Sequence, residues 1–125
     1  MTSTLTDTIR ATVERYVALV ATGTAQELAD LYTADAVVED PVGTEPKVGH
    51  AAIRDFYEVL QAAQRETKLL TARIAGKQAA FHFELTTTFG EQKVVLAPID
   101  VMEFDDDGRV TSMKAYWGQD DLKLT

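Results

Sequence analysis

Ala79-Ala80-Phe81-His82-Phe83-Glu84-Leu85-Thr86-Thr87-Thr88-Phe89 decides the fold class, because its side chains sort by turns. In an extended chain Phe81, Phe83 and Leu85 fall on one side, while His82, Glu84 and Thr86 fall on the other. Such alternation belongs to a sheet with one dry face and one wetter face, and the dry face can line a cavity. Turn signals at Gly76, Gly90 and Asp105-Asp106-Asp107-Gly108 divide the surrounding chain into strands over residues 67–74, 78–89, 92–104 and 109–117. Four consecutive antiparallel strands are the simplest arrangement.

Upstream the period changes. Ile9, Val13, Tyr16, Val17 and Val20 recur at helical spacing, which predicts an amphipathic helix over residues 7–21 with Tyr16 pointing inward. Gly23 ends it, and Thr24-Ala25-Gln26-Glu27 is a capping box that opens a short second helix carrying Leu28, Leu31 and Tyr32 on one side. The two are expected to form a helical hairpin. Residues 36–39 read as a short strand cut by Asp40-Pro41, and Gly43, Pro46 and Gly49 mark a long loop. A third helix is predicted over residues 51–64, with Ile53, Phe56, Tyr57 and Leu60 facing the core. Helices first and a meander afterwards make an α+β fold, in which a curved sheet encloses the helices. The 125 residues are 46% hydrophobic, enough for one domain spanning residues 1–125.

The candidate chemistry rests on carboxyl and phenol groups. Asp100 interrupts Val94-Val95-Leu96-Ala97-Pro98-Ile99-Asp100-Val101-Met102, sharing one face with Leu96, Pro98, Met102 and Phe104, while Val95, Ile99 and Val101 take the other. Neither face reads as wet. An ionised carboxylate is costly there, so Asp100 either finds a cation, which its immediate neighbours do not supply, or keeps its proton. The stretch alone is equally compatible with an Asp at a bulge made by Pro98, or with one paired to a distant Arg. Asp40 stands where a strand gives way to a Pro- and Gly-rich loop, where partial solvation leaves it ionised; an Asp before Pro is also a common turn former. Should both open onto one cavity, one is an available base and the other an available donor. Tyr16, Tyr32 and Tyr57 lie on inward helix faces and need polar partners, whether backbone carbonyls or one another.

Other chemistries find little support. The formal net charge of -8 argues against nucleic acid or an anionic membrane as partner, and a neutral substrate is expected. Cysteine is absent, which excludes thiol nucleophiles and Cys-ligated zinc. His50 and His82 are isolated, so no metal site is expected, and Asp105-Asp106-Asp107-Gly108 lacks the spacing of a calcium loop. Glycine-rich phosphate loops and activated-serine motifs are also missing. The opening residues carry no basic stretch followed by an apolar one, which makes a cytoplasmic protein the default expectation.

Several blocks together resemble the bacterial ketosteroid isomerases (steroid Δ5-isomerases). They are Arg15-Tyr16-Val17, Val38-Glu39-Asp40-Pro41-Val42-Gly43, Ala51-Ala52-Ile53-Arg54-Asp55-Phe56-Tyr57, Ala97-Pro98-Ile99-Asp100, and Gly108-Arg109-Val110 leading to Ser112-Met113. The resemblance implies an NTF2-like cone, with three N-terminal helices in the concavity of a curved, mainly antiparallel sheet, and a homodimer. It implies that Asp40 is the general base and that Tyr16 with protonated Asp100 forms the oxyanion hole; contrasting aspartates are a described feature of that family. Tyr57 and Tyr32 resemble the tyrosines that support the first, and Phe56, Phe83, Met113 and Trp117 resemble the lining of a steroid pocket. The implied substrate is an apolar ketosteroid, with no cofactor. Residues 61–78 match nothing in the pattern, and His82 and Glu103 are not residues it requires. Cone-shaped folds also host hydrolases and cyclases of terpenoids or polyketides, and non-catalytic binding proteins for hydrophobic ligands.

Overall fold

The computed structural model describes residues 4–125. Helix α1 spans Thr4–Thr22 and buries Ile9, Val13, Tyr16, Val17 and Val20, the stripe expected from its spacing, together with Leu19. It is held at its C-terminal end by side chains from the sheet. Arg65 Nη1 donates at 2.8 Å to the Val20 carbonyl, which lies in the last turn and needs a partner from outside the helix, and Thr67 Oγ1 adds a bond to the Val17 carbonyl at 2.7 Å. Gly23 is required here, since an added Cβ would lie 2.7 Å from the Leu19 side chain and 2.9 Å from its carbonyl oxygen.

Helix α2, Ala25–Ala29, starts at the Thr24 capping box: Thr24 Oγ1 accepts from Glu27 N at 3.1 Å, and Glu27 Oε1 accepts from Thr24 N at 3.0 Å. It packs chiefly on the third helix rather than along α1, so the expected hairpin is loose. That third helix, α3, spans His50–Glu58 and relaxes into a 3₁₀ turn over Val59–Ala62, short of the expected end. Tyr57 and Ile53 are buried, with Phe56 and Leu60 packed partly against the core.

The described residues also form eight strands: β1 Tyr32–Glu39, β2 Lys47–Val48, β3 Gln64–Ala75, β4 Gln78–Phe89, β5 Gln92–Leu96, β6 Ile99–Phe104, β7 Val110–Tyr116 and β8 Leu122–Leu124. The order is β2-β1-β7-β6-β4-β5-β8, and β3 pairs with the free edge of β4. The meander is therefore modified in three ways. The strand expected over residues 92–104 is two strands, because Pro98 has no N–H for the ladder; β5 pairs with the second half of β4 and β6 with the first. Strand β1 joins the sheet parallel to β7, an arrangement local periodicity does not reveal. Strand β8 was not expected at all and closes on β5.

Strand β6 alternates as anticipated in one direction only. Asp100, Met102 and Phe104 are buried, whereas Ile99 is 47% exposed and Glu103 is exposed. The outer face is thus wetter than its apolar residues suggest. Two inner rows matter for the site. Phe81, Asp100 and Ala115 lie directly opposite one another across β4, β6 and β7; one rung deeper lie Ala79, Met102, Met113 and Val38.

Candidate active site

Every member of the Phe81-Asp100-Ala115 row is buried, and Asp100 is 1% exposed. Its partners across the ladder are a phenyl ring and a methyl group, so no cation reaches it within the sheet. Its Oδ1 is buried with no hydrogen-bond partner among the described residues. Burial pushes the Asp100 carboxyl well above the usual carboxylate range, and the Asp40 charge adds to the effect. A carboxyl kept protonated in this way is a hydrogen-bond donor.

The donor faces a cavity of about 200 Å³. Tyr16 from α1, Tyr57 and Phe56 from α3, Phe83 and Leu85 from β4, Leu96 from β5 and Pro98 form much of its wall with Asp100. Asp40 and Trp117 complete one side. Val59, 74% exposed, stands at the mouth. The polar side chains of the wall are those of the two aspartates, the two tyrosines and Trp117, and the remaining wall is apolar, as befits a ligand with few polar groups.

Asp40 follows the last residue of β1 and is half-buried. Its Oδ1 accepts a hydrogen bond from Trp117 Nε1 at 2.8 Å. Desolvation raises its pKa, while the Trp117 hydrogen bond and the Lys47 charge oppose the rise. The neighbouring carboxylate is turned away, since Glu39 Oε2 accepts from Gly43 N at 2.7 Å. Asp40 is therefore a carboxylate made more basic than in water, in view of a carboxyl held protonated.

The tyrosines form a row. Tyr32 and Tyr57 hydroxyls lie 2.7 Å apart, and those of Tyr57 and Tyr16 lie 3.2 Å apart. Burial raises all three pKa values well above the ordinary phenol value, so each keeps its proton. With Tyr32 donating to Tyr57 and Tyr57 donating to Tyr16, the Tyr16 proton is left for a cavity ligand. Tyr32 stands behind the wall, Tyr57 and Tyr16 in it.

Among the nine residues singled out from sequence, Asp40, Tyr16, Asp100, Tyr57, Phe56, Phe83 and Trp117 meet at this cavity, and Tyr32 contacts it through Tyr57. Met113 does not belong to the wall. It is 0% exposed in the deeper row, between Val38 and Met102, so it is a core residue and the expectation that it lines the pocket is corrected. Sequence reading missed Val20, Leu85, Leu96 and Leu60 as lining. Leu85 was recoverable from the Phe81, Phe83, Leu85 alternation. No three His, Asp or Glu side chains converge to hold a metal among the described residues.

Three helices packed against a large curved, mainly antiparallel sheet make this an NTF2-like fold. Residues 13–113 match the SnoaL-like domain family, and the chain belongs to it. A steroid Δ-isomerase of Nocardioides simplex is 46% identical over 117 residues, which cover 94% of this chain and 95% of the relative. An epoxide hydrolase/cyclase-like enzyme of pyran-ring formation in polyether salinomycin superposes with a TM-score of 0.88 at 23% identity, covering 95% of this chain and 97% of its own. That likeness speaks for the fold.

Proposed function

We propose that this chain is a steroid Δ5-isomerase, an enzyme that moves the double bond of a 3-oxo-Δ5 steroid into conjugation with its ketone. The observation that carries the reading is the pairing of unequal acids on one cavity: a basic Asp40 carboxylate and an unpartnered, protonated Asp100 beside Tyr16. The near-full-length likeness to a steroid Δ-isomerase supports the substrate class.

Asp40 takes a proton from the carbon between carbonyl and alkene, where the resulting anion delocalises as a dienolate. The same carboxyl returns that proton two carbons away, so the reaction balances on groups the chain itself carries. Negative charge gathers on the former ketone oxygen, which accepts hydrogen bonds from Tyr16 Oη and Asp100. Both donors are fixed and dry, so they stabilise the charge as it forms without reorganising. The apolar wall of Phe56, Phe83 and Trp117 holds the rest of the steroid, and Tyr57 and Tyr32 orient Tyr16.

The reaction is tested by mixing the protein with 5-androstene-3,17-dione and following ultraviolet absorbance of the conjugated enone. Absorbance should rise with turnover. Tight steroid binding without that rise would favour a binding protein, and turnover surviving Asp40→Asn would end the assignment of the base.

The proposal extends to assembly and location. Ile99 and Tyr116, directly opposite on the outer face and each 47% exposed, give a homodimer an apolar contact, which sedimentation equilibrium would test as a doubled mass. A cytoplasmic location is part of the same reading, tested by cell fractionation; among the described residues no helix is long and apolar enough to cross a membrane.

A further inference from the structure

Lys47 plays no part in the mechanism just described, yet its placement is specific. In the β1–β2 ladder it lies opposite Val38, and directly opposed residues of an antiparallel pair project to the same face. Val38 is buried on the inner face, and Asp40, two residues on, continues that side at the strand end. Lys47 is half-buried, and its ammonium is anchored twice: Nζ donates to the Glu45 carbonyl at 3.1 Å and stands 5.5 Å from the centroid of the Phe56 ring. Phe56 and Asp40 both line the cavity.

We infer that Lys47 is a positioning residue for the proposed base, its anchored ammonium supplying the positive field that keeps the Asp40 carboxylate available while it braces Phe56 in the wall. The inference rests on Asp40 being that base. Among the described residues no other cation competes for the role. The titratable and polar groups that share the cavity with Asp40 are the phenols of Tyr16 from α1 and Tyr57 from α3, the buried acid of Asp100 from β6, and the uncharged indole of Trp117 after β7, with the phenol of Tyr32 behind Tyr57. Glu39 is occupied by Gly43 N, Arg54 is exposed and paired with Asp55, and Lys114, opposite Glu39 on β7, is exposed. Among the described residues, Lys47 is also the cation whose charge opposes the rise in the Asp40 pKa.

The sign is definite. Removing a positive charge near a carboxylate favours its protonated form, so the acid limb of the kcat/KM profile moves to higher pH. The test is Lys47→Gln against Lys47→Arg in the full-length protein, with kcat/KM measured across pH and a site-resolved carbon NMR titration of the Asp40 carboxyl. In Lys47→Gln, kcat/KM on the acid limb should fall about twofold to fivefold relative to the alkaline plateau, the size of a half-exposed charge pair, and the loss should shrink in high salt. Lys47→Arg should restore the limb. A Lys47→Gln profile that keeps the wild-type limb, with an unchanged Asp40 titration, overturns the inference; so does a change confined to KM, which would reduce Lys47 to a brace for Phe56. Asp40→Asn is measured alongside. If it retains turnover, the base assignment has failed; if it abolishes turnover while the Lys47→Gln limb stays put, only the role of Lys47 has failed.

Discussion

Asp40 and Asp100 are the same residue type on the same cavity, 60 positions apart in sequence, and their surroundings give them opposite tasks. Asp100 lies in the interior of the sheet, between Phe81 and Ala115, with Oδ1 unpartnered. Asp40 lies at a strand end, where an indole N–H bonds to it and the charge of Lys47 acts on it. Depth in the sheet, more than sequence identity, decides which carboxyl holds its proton. Both rise above the ordinary value through desolvation, but only Asp40 has groups that pull back.

The strongest way to break the contrast is to remove the base. Asp40→Asn should lower kcat by about 10⁴-fold, the upper end of the range for a positioned proton-transfer group, measured by enone absorbance under saturating steroid. Removing either donor comes next: Tyr16→Phe and Asp100→Leu should each lower kcat by about 10²–10³-fold. Asp100→Asn sharpens the point, because the amide still donates a hydrogen bond; its loss should be smaller than that of Asp100→Leu. Breaking the row behind Tyr16 has a milder effect. Tyr57→Phe removes one neutral hydrogen bond on Tyr16 and should lower kcat by about two- to tenfold, with little change in KM.

The smallest effect concerns stability and has the opposite direction. The Asp100 pKa is raised in the folded protein, so between the unfolded value and the folded value the native state binds more protons than the unfolded one. Stability is then full at low pH and is lost as pH rises through that window. At pH 7 Asp100→Asn should therefore raise the unfolding free energy by about 1 kcal/mol, a Tm gain of roughly 3–6 °C by calorimetry, and the gain should fade toward pH 3. A variant that is less stable at pH 7 would show that Asp100 is not strained by its burial.

How much of this was legible depended on how far apart the deciding residues lie. Phe81, Phe83 and Leu85 announce their face within five residues, and the stripe of α1 and the Thr24 capping box are equally local. Burial of Asp100 also followed from its neighbours in the chain. Pairing across the sheet did not: the offset between β5 and β6 depends on β4, and β1 meets β7 only in three dimensions. Met113 was misplaced for that reason, since one rung of register separates the wall from the core. The bond from Trp117 to Asp40 spans 77 residues and leaves no local trace. Reading Ile99 as dry failed differently, because an apolar residue on an outer face looks the same in sequence as one inside.

Asp100 Oδ1 is buried with no hydrogen-bond partner among the described residues, so its carboxyl is free to bond to a molecule in the cavity. A ketone oxygen entering the cavity accepts a hydrogen bond from that carboxyl, and a ligand that binds only the folded chain stabilises it. Heat resistance should consequently climb with the concentration of any non-reactive ketone of the right shape, and climb less for the matching hydrocarbon. The carboxyl proposed to donate to the substrate is thus also the one whose burial a bound ketone would offset.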